Sequence, residues 1–335
     1  MTEATRASRA RWGSILQAGF GLVVGAVFLV LVMRNVHLGD LATLLAEATF
    51  APLVLAFLAY VADFVLRAVR FWIMLLSTAN RTLPVRPTIA PFIASFGISD
   101  VLPLRVGDGF RVLWFYRRFH IPPGTIIGTM IVERILDLVT IVMLGALSLT
   151  LVGVSVPPAL VWNFQVVLGV AFALGLALLF APALLCRLLE KLFAGVNFGA
   201  ATALISALRA TANAVVQVGS WRRLLMLTLM SLALWLLESL VVIGAWISLG
   251  GSVGDLLKPF IAFVFSTLGT LVPSLPGHFG SFEFFGMQAF TLVGVDASTA
   301  AAVLLLAHLI LWAPTALFGI GFLLLGAPGK VVNTA

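Results

Sequence analysis

This 335-residue chain is short of charge, carries one cysteine, and lacks the short motifs that organise the common catalytic sites. Charged residues make up 10% and apolar types 61%, against roughly 25% charge in a soluble domain, so a polytopic membrane protein is expected. Cys186 alone excludes an intramolecular disulfide and a thiolate metal cluster. There is no G-x-x-x-x-G-K-[ST] phosphate loop, hence no ATP engine in this chain, and no G-x-S-x-G, H-E-x-x-H or C-x-x-C. The net charge of +7 does not point to nucleic acid, because Lys and Arg sit in short clusters between apolar runs, the pattern of a positive-inside bias.

What is present is hydrophobic length. Ile15–Met33, Phe50–Leu76, Thr125–Val154, Ala159–Pro182, Leu224–Leu249 and Thr299–Leu325 are each about 19 residues or longer, enough to span a bilayer. The first run follows Arg6, Arg9 and Arg11, but its length and the lack of a small-residue cleavage site directly after it make it a retained span rather than a signal peptide. Two further runs are shorter and interrupted. Thr88–Leu104 contains Ser95, Gly97, Ser99, Asp100 and Pro103; Lys258–Leu275 contains Ser266, Thr267, Gly269, Thr270 and Pro273.

If both interrupted runs enter and leave on one side, the basic clusters gather on a single face, which is assigned as cytoplasmic together with both termini. The expected fold is therefore an all-α polytopic membrane protein, with six full transmembrane helices and two opposed re-entrant hairpins. Residues 1–335 form one integral membrane domain, with half-repeats at 13–154 and 159–325. A connector at 186–223 is read as an amphipathic cytoplasmic helix from the spacing of Leu204, Ile205, Leu208, Val215 and Val216. The halves align at an offset of about 170 to 175 residues and run in opposite directions, the pattern of an inverted repeat. The competing reading is that any two helical membrane halves align loosely by hydropathy. Pro103 and Pro273 are expected at equivalent places.

Ionisable side chains inside such runs normally face a protein interior. Asp63, Arg67 and Arg70 share one helical face. They are read either as part of a polar site or as a self-neutralising pair with Arg70 snorkelling to the surface. Asp100, Arg105, Asp108 and Arg111 bracket the first break, where Gly107 and Gly109 permit a sharp turn. The arginines there offer planar donor forks to a phosphate, unless the stretch is an ordinary basic loop. Glu133, Arg134 and Asp137 begin the next span, where Arg134 alternatively only balances the two acids. Glu238, alone in an apolar helix, must be protonated or paired with a distant cation such as Arg67 or Arg134. The second break holds Pro273, Pro276, Gly277 and Gly280 as turn residues, with His278, Ser281 and Glu283 nearby. No metal site is expected, and His308 is read as a packed, hydrogen-bonded residue.

Three stretches then carry a resemblance: Asp100-Val-Leu-Pro-Leu-Arg-Val-Gly-Asp-Gly-Phe-Arg111, Val132-Glu-Arg-Ile-Leu-Asp137, and Pro273-Ser-Leu-Pro-Gly-His-Phe-Gly-Ser-Phe-Glu283. In this order they look like the signatures of the lysylphosphatidylglycerol synthase transmembrane-region family, over about Gly13 to Leu325. The resemblance implies a bacterial or archaeal inner-membrane, flippase-like protein that moves lipids between leaflets. The chain ends ten residues after the last apolar run, so the aminoacyl-transferase domain of the best-known members is expected to be missing. His278-Phe279 departs from the glycine-rich sequence more common there, which leaves the substrate open.

The expected function is translocation of an anionic phospholipid or other lipid-linked substrate, with no enzymatic activity and no cofactor. Arg105, Arg111 and Arg134 would take the headgroup. Asp63, Arg67, Asp100, Asp108, Glu133, Asp137, Glu238 and Glu283 would set cavity charge and coupling. Partners are membrane lipids, with lipid-modifying enzymes and a second copy as further candidates. Two competing classes are a membrane-embedded transferase using Glu283 or His278 as base, and a scaffold for lipid-modifying partners.

Overall fold

The computed structural model describes residues 19–34, 36–79, 82–152, 221–272 and 274–325, with isolated positions between 162 and 191. The expected span Ala159–Pro182 and the amphipathic connector therefore fall largely outside the described residues, and Pro273 does too. Every regular element among the described residues is helical. In chain order these are α1 (Gly19–Met33), α2 (Leu38–Ala46), α3 (Phe50–Ala79), α4 (Val85–Val101), α5 (Val106–Phe119), α6 (Pro123–Val152), α7 (Trp221–Ser248), α8 (Leu257–Gly269), α9 (Ser281–Leu292) and α10 (Ala297–Leu325).

Three of them, α3, α7 and α10, are long and apolar enough to cross a membrane. Their outer faces expose Leu55, Leu58, Leu229, Leu240, Leu317 and Leu324, residues that hydrocarbon rather than water would cover. Of the first expected span, the described residues hold the apolar helix α1. The third is the 30-residue α6, which carries Glu133, Arg134 and Asp137 in its first half.

The two breaks form where the sequence removes helical options. Pro103 lacks an N–H and pushes Leu102 into extended backbone (φ −99°, ψ 139°), so α4 stops. Leu104 and Arg105 then both adopt left-handed backbone, at φ 63° and 52°. In the second break Leu275 is extended, Pro276 follows, and Gly277 and His278 are both left-handed, at φ 69° and 62°. Pro276 thus shares the backbone conformation of Pro103; Pro273, the proline expected to be equivalent, lies outside the described residues. The expected turn glycines of the first break are displaced as well. Gly107 and Gly109 lie inside α5, and non-glycine residues make the turn at a cost of roughly 1–3 kcal/mol each. Gly107 serves instead to let α5 fold back on α4, since a Cβ there would collide with the Ser95 carbonyl.

Helix contacts fall into matching sets. α3 packs along α7, and α4–α5 and α8–α9 form two folded-back pairs. The pairs exchange partners, because α4 packs on α10 and α8 packs on α6. The α4–α10 crossing is close enough to bring Gly97 and Gly319 backbone to backbone. Around these crossings lie a large core centred on α7, α8 and α10 and smaller ones at the α3–α6 and α3–α4–α5 junctions.

Candidate functional site

Both breaks open onto one cavity of about 650 Å³. Its walls include Leu102 to Arg105 from the first break and Ser274 to His278 from the second. Gly21 and Leu22 of α1 close one side, and Gly21 and Gly25 lie against Ser274 and Leu275 at distances only glycine permits. The lining mixes the apolar surfaces of Phe64, Phe96, Leu271 and Leu311 with a small set of charges: Arg67, Asp100, Arg105, Asp108, Arg134 and Glu238. A concave wall that combines apolar surface with convergent charged and polar groups suits an organic ligand with both an ionic and an apolar part.

Of the three arginines expected at a headgroup, two reach this cavity. Arg105 is exposed and has no carboxylate within 4.0 Å among the described residues. Arg134 lies 3.6 Å from Asp108 with its side chain 39% exposed, a loose pair in a more open place than a deeply held ligand group would occupy. Arg111 does not reach the cavity. It is buried, donates to Ser95 Oγ at 3.0 Å and Glu133 Oε2 at 3.2 Å, and is enclosed by Phe71, Phe92 and Phe96 with its guanidinium carbon 4.5–5.1 Å from their centroids. The aromatic faces and the carboxylate together compensate its burial. Arg111 and Glu133 therefore tie α5 to α6.

The second folded-back pair has a comparable tie. Glu283 on α9 contacts His308 Nδ1 on α10, and its other oxygen accepts from the Gly280 N–H at 2.8 Å. His308 Nε2 lies 2.7 Å from the Gly277 carbonyl, and the ring stacks on Phe279 at 4.3 Å. The histidine is packed, as expected, but it also fixes the backbone of the second break.

Behind the cavity a five-residue ionic cluster joins α3, α6 and α7. Arg67 donates to Asp63 at 2.8 Å, contacts Glu238, and lies 4.0 Å from Asp137. Arg70 binds both oxygens of Asp137, at 2.6 and 3.0 Å, and donates to Ser231 Oγ at 2.5 Å. Arg70 is 1% exposed, so it does not snorkel. Its bidentate partner lies 67 residues away, on a helix that no local spacing links to α3. Only Arg67 and Glu238 of the five line the cavity. Trp235 covers Arg67 at 4.8 Å and lines the cavity too.

Asp100 is held by Thr315 Oγ1 at 2.8 Å, and its carbonyl accepts from Trp312 Nε1 at 3.2 Å. Tyr60 donates to the Leu311 carbonyl nearby. Tyr60, Trp235 and Trp312 were not picked out by sequence reasoning, because an aromatic residue in an apolar run looks like any other packing residue. Among the described residues no group of three His, Cys, Asp or Glu side chains converges as metal ligands would.

The charged triplets, the two breaks and the order of the helices agree with one assignment. Residues 19–319 match the family described as the lysylphosphatidylglycerol synthase TM region, and the chain belongs to that family. No curated protein matches it in sequence. The chain is accordingly a helical membrane protein related to lipid modification or transport.

Proposed function

We propose that the chain translocates an anionic phospholipid or other lipid-linked substrate between leaflets, with the headgroup passing through the cavity and the tails remaining in the bilayer. The observation that carries this reading is Arg105, a cation with no carboxylate partner among the described residues, held by strained backbone at the wall of a cavity that is part apolar and part charged. A guanidinium in that setting offers a phosphate a charge-assisted, forked contact without first losing one to the protein. The chain then works as six spans and two re-entrant hairpins in an inverted repeat, with both ends cytoplasmic. The matched backbone of Pro103–Arg105 and Pro276–His278 supports that arrangement, and so does the exchange of partners between the folded-back pairs. Irregular backbone at membrane depth is tolerated where it lines a cavity.

The test is a proteoliposome assay in which fluorescent phosphatidylglycerol in the inner leaflet is scored for arrival outside, followed by mass analysis of the lipid. Translocation with unchanged lipid mass, lost in Arg105→Gln, supports the reading. A changed mass would replace it with the transferase reading, in which Glu283 or His278 acts as base. Translocation unaffected by Arg105→Gln would remove the cavity from the mechanism.

A further inference from the structure

The ionic cluster contains three carboxylates, Asp63, Asp137 and Glu238, against two guanidiniums, Arg67 and Arg70. Arg70 spends both terminal nitrogens on Asp137 and Ser231, and its Nε is buried without a partner. Arg67 therefore has to serve Asp63 and Glu238 together, and it is the only guanidinium of the two at the cavity wall. Asp63 Oδ1 is likewise buried with no hydrogen-bond partner, and the cluster holds one more carboxylate than guanidiniums.

The groups facing the cluster offer no replacement cation. On α3, Tyr60 is committed to the Leu311 carbonyl. On α7, Ser231 already accepts from Arg70 and Trp235 is stacked on Arg67. Arg134 of α6 sits with Asp108 of α5, Asp100 of α4 is acidic, and His308 of α10 faces Glu283 of α9. An anion that takes the place of Glu238 on Arg67 leaves that carboxylate with a side chain 17% exposed and no other cation within 4.0 Å among the described residues. Such a carboxylate is neutralised by taking a proton.

Resting on the headgroup reading above, we propose that Glu238 is a proton-coupling site: an anionic headgroup exchanges with its carboxylate on Arg67, and Glu238 takes up one proton from cavity water as the ion pair opens. Release of the headgroup reverses both events, the proton leaving as the Arg67–Glu238 pair re-forms. Lipid movement is then linked to proton movement with no nucleotide consumed.

The experiment is calorimetric titration of the full chain in nanodiscs with a short-chain phosphatidylglycerol, whose phosphodiester does not titrate near neutral pH. Repeating it in buffers of different ionisation enthalpy counts protons. The wild type is expected to take up close to one proton per lipid bound, so that affinity falls up to about tenfold per pH unit on the alkaline side. Glu238→Gln is expected to bind the same lipid with no proton uptake and no such pH dependence. Binding by the wild type without proton uptake overturns the coupling and leaves the headgroup reading intact. An unchanged proton count in Glu238→Gln also overturns it, and so does a requirement for sodium over choline in place of proton uptake. A wild type that binds no lipid at all defeats the headgroup reading itself. If Glu238→Gln does not fold, the wild-type count still decides between coupled and uncoupled binding.

Discussion

Arg67 and Glu238 stand 171 residues apart in sequence and meet as an ion pair that joins α3 to α7. The pair is one side of a cluster whose charges do not balance, and that imbalance ranks the effects of neutralising its members.

Replacing Glu238 with Gln leaves two carboxylates for two guanidiniums, so thermal stability in detergent is expected to stay within about 1 kcal/mol of wild type. Replacing Arg70 with Gln strands Asp137 and is expected to cost about 3–5 kcal/mol, read as a large fall in melting temperature. Equal losses from the two substitutions would show that charge balance does not govern the cluster.

Glu283 and His308 lock the second break to α10. A double-mutant cycle with Glu283→Gln and His308→Gln, scored by thermal unfolding, is expected to give a coupling of about 1.5–3 kcal/mol, the range of hydrogen bonds to charged groups. A coupling near zero would mean that each side chain supports the break through separate contacts.

Close backbone packing makes a separate forecast. Gly97→Ala places a methyl group against the Thr315 carbonyl across the α4–α10 crossing, and an overpacking loss of about 1–3 kcal/mol is expected. Gly109→Ala, in α5 with nothing within 4 Å, is expected to be neutral or to stabilise by up to about 1 kcal/mol. The pair is a direct comparison by thermal shift, and a loss at Gly109 as large as that at Gly97 would contradict it.

In the translocation assay, Arg105→Ala and Arg134→Ala are expected to slow lipid movement at least tenfold, the equivalent of about 1.4 kcal/mol in one contact. Arg117→Ala and Arg118→Ala, in the exposed last turn of α5, should change it less than twofold. Similar losses from all four would point to surface charge instead of a cavity.

The membrane class, the family and the positions of both breaks were legible in the sequence. Composition, proline and glycine determine these directly. A cation partner for Glu238 could be expected because a lone carboxylate in an apolar helix needs one, but Arg67 and Arg134 were both on offer and only the structure selects Arg67. Arg111 was not separable from Arg105 by sequence, since both flank the same break. What divides them is tertiary: three phenylalanines and Glu133 enclose Arg111, while Arg105 sits on left-handed backbone at the cavity. Pro276 shares the backbone setting of Pro103, since each precedes a left-handed pair, which only backbone conformation reveals; Pro273 lies outside the described residues. Arg70 misled for a similar reason, its partner being on another helix.

Because α4 packs on α10 and α8 packs on α6, each folded-back pair of the described chain takes part of its packing surface from the other half. During synthesis α4 emerges long before α10 and must wait, its Gly97 face uncovered, until the last described helix arrives. The cavity is therefore finished late and as a unit. Two half-chains expressed separately would each be left with a hairpin seeking a partner, and would regain a closed site only by finding one another in the membrane.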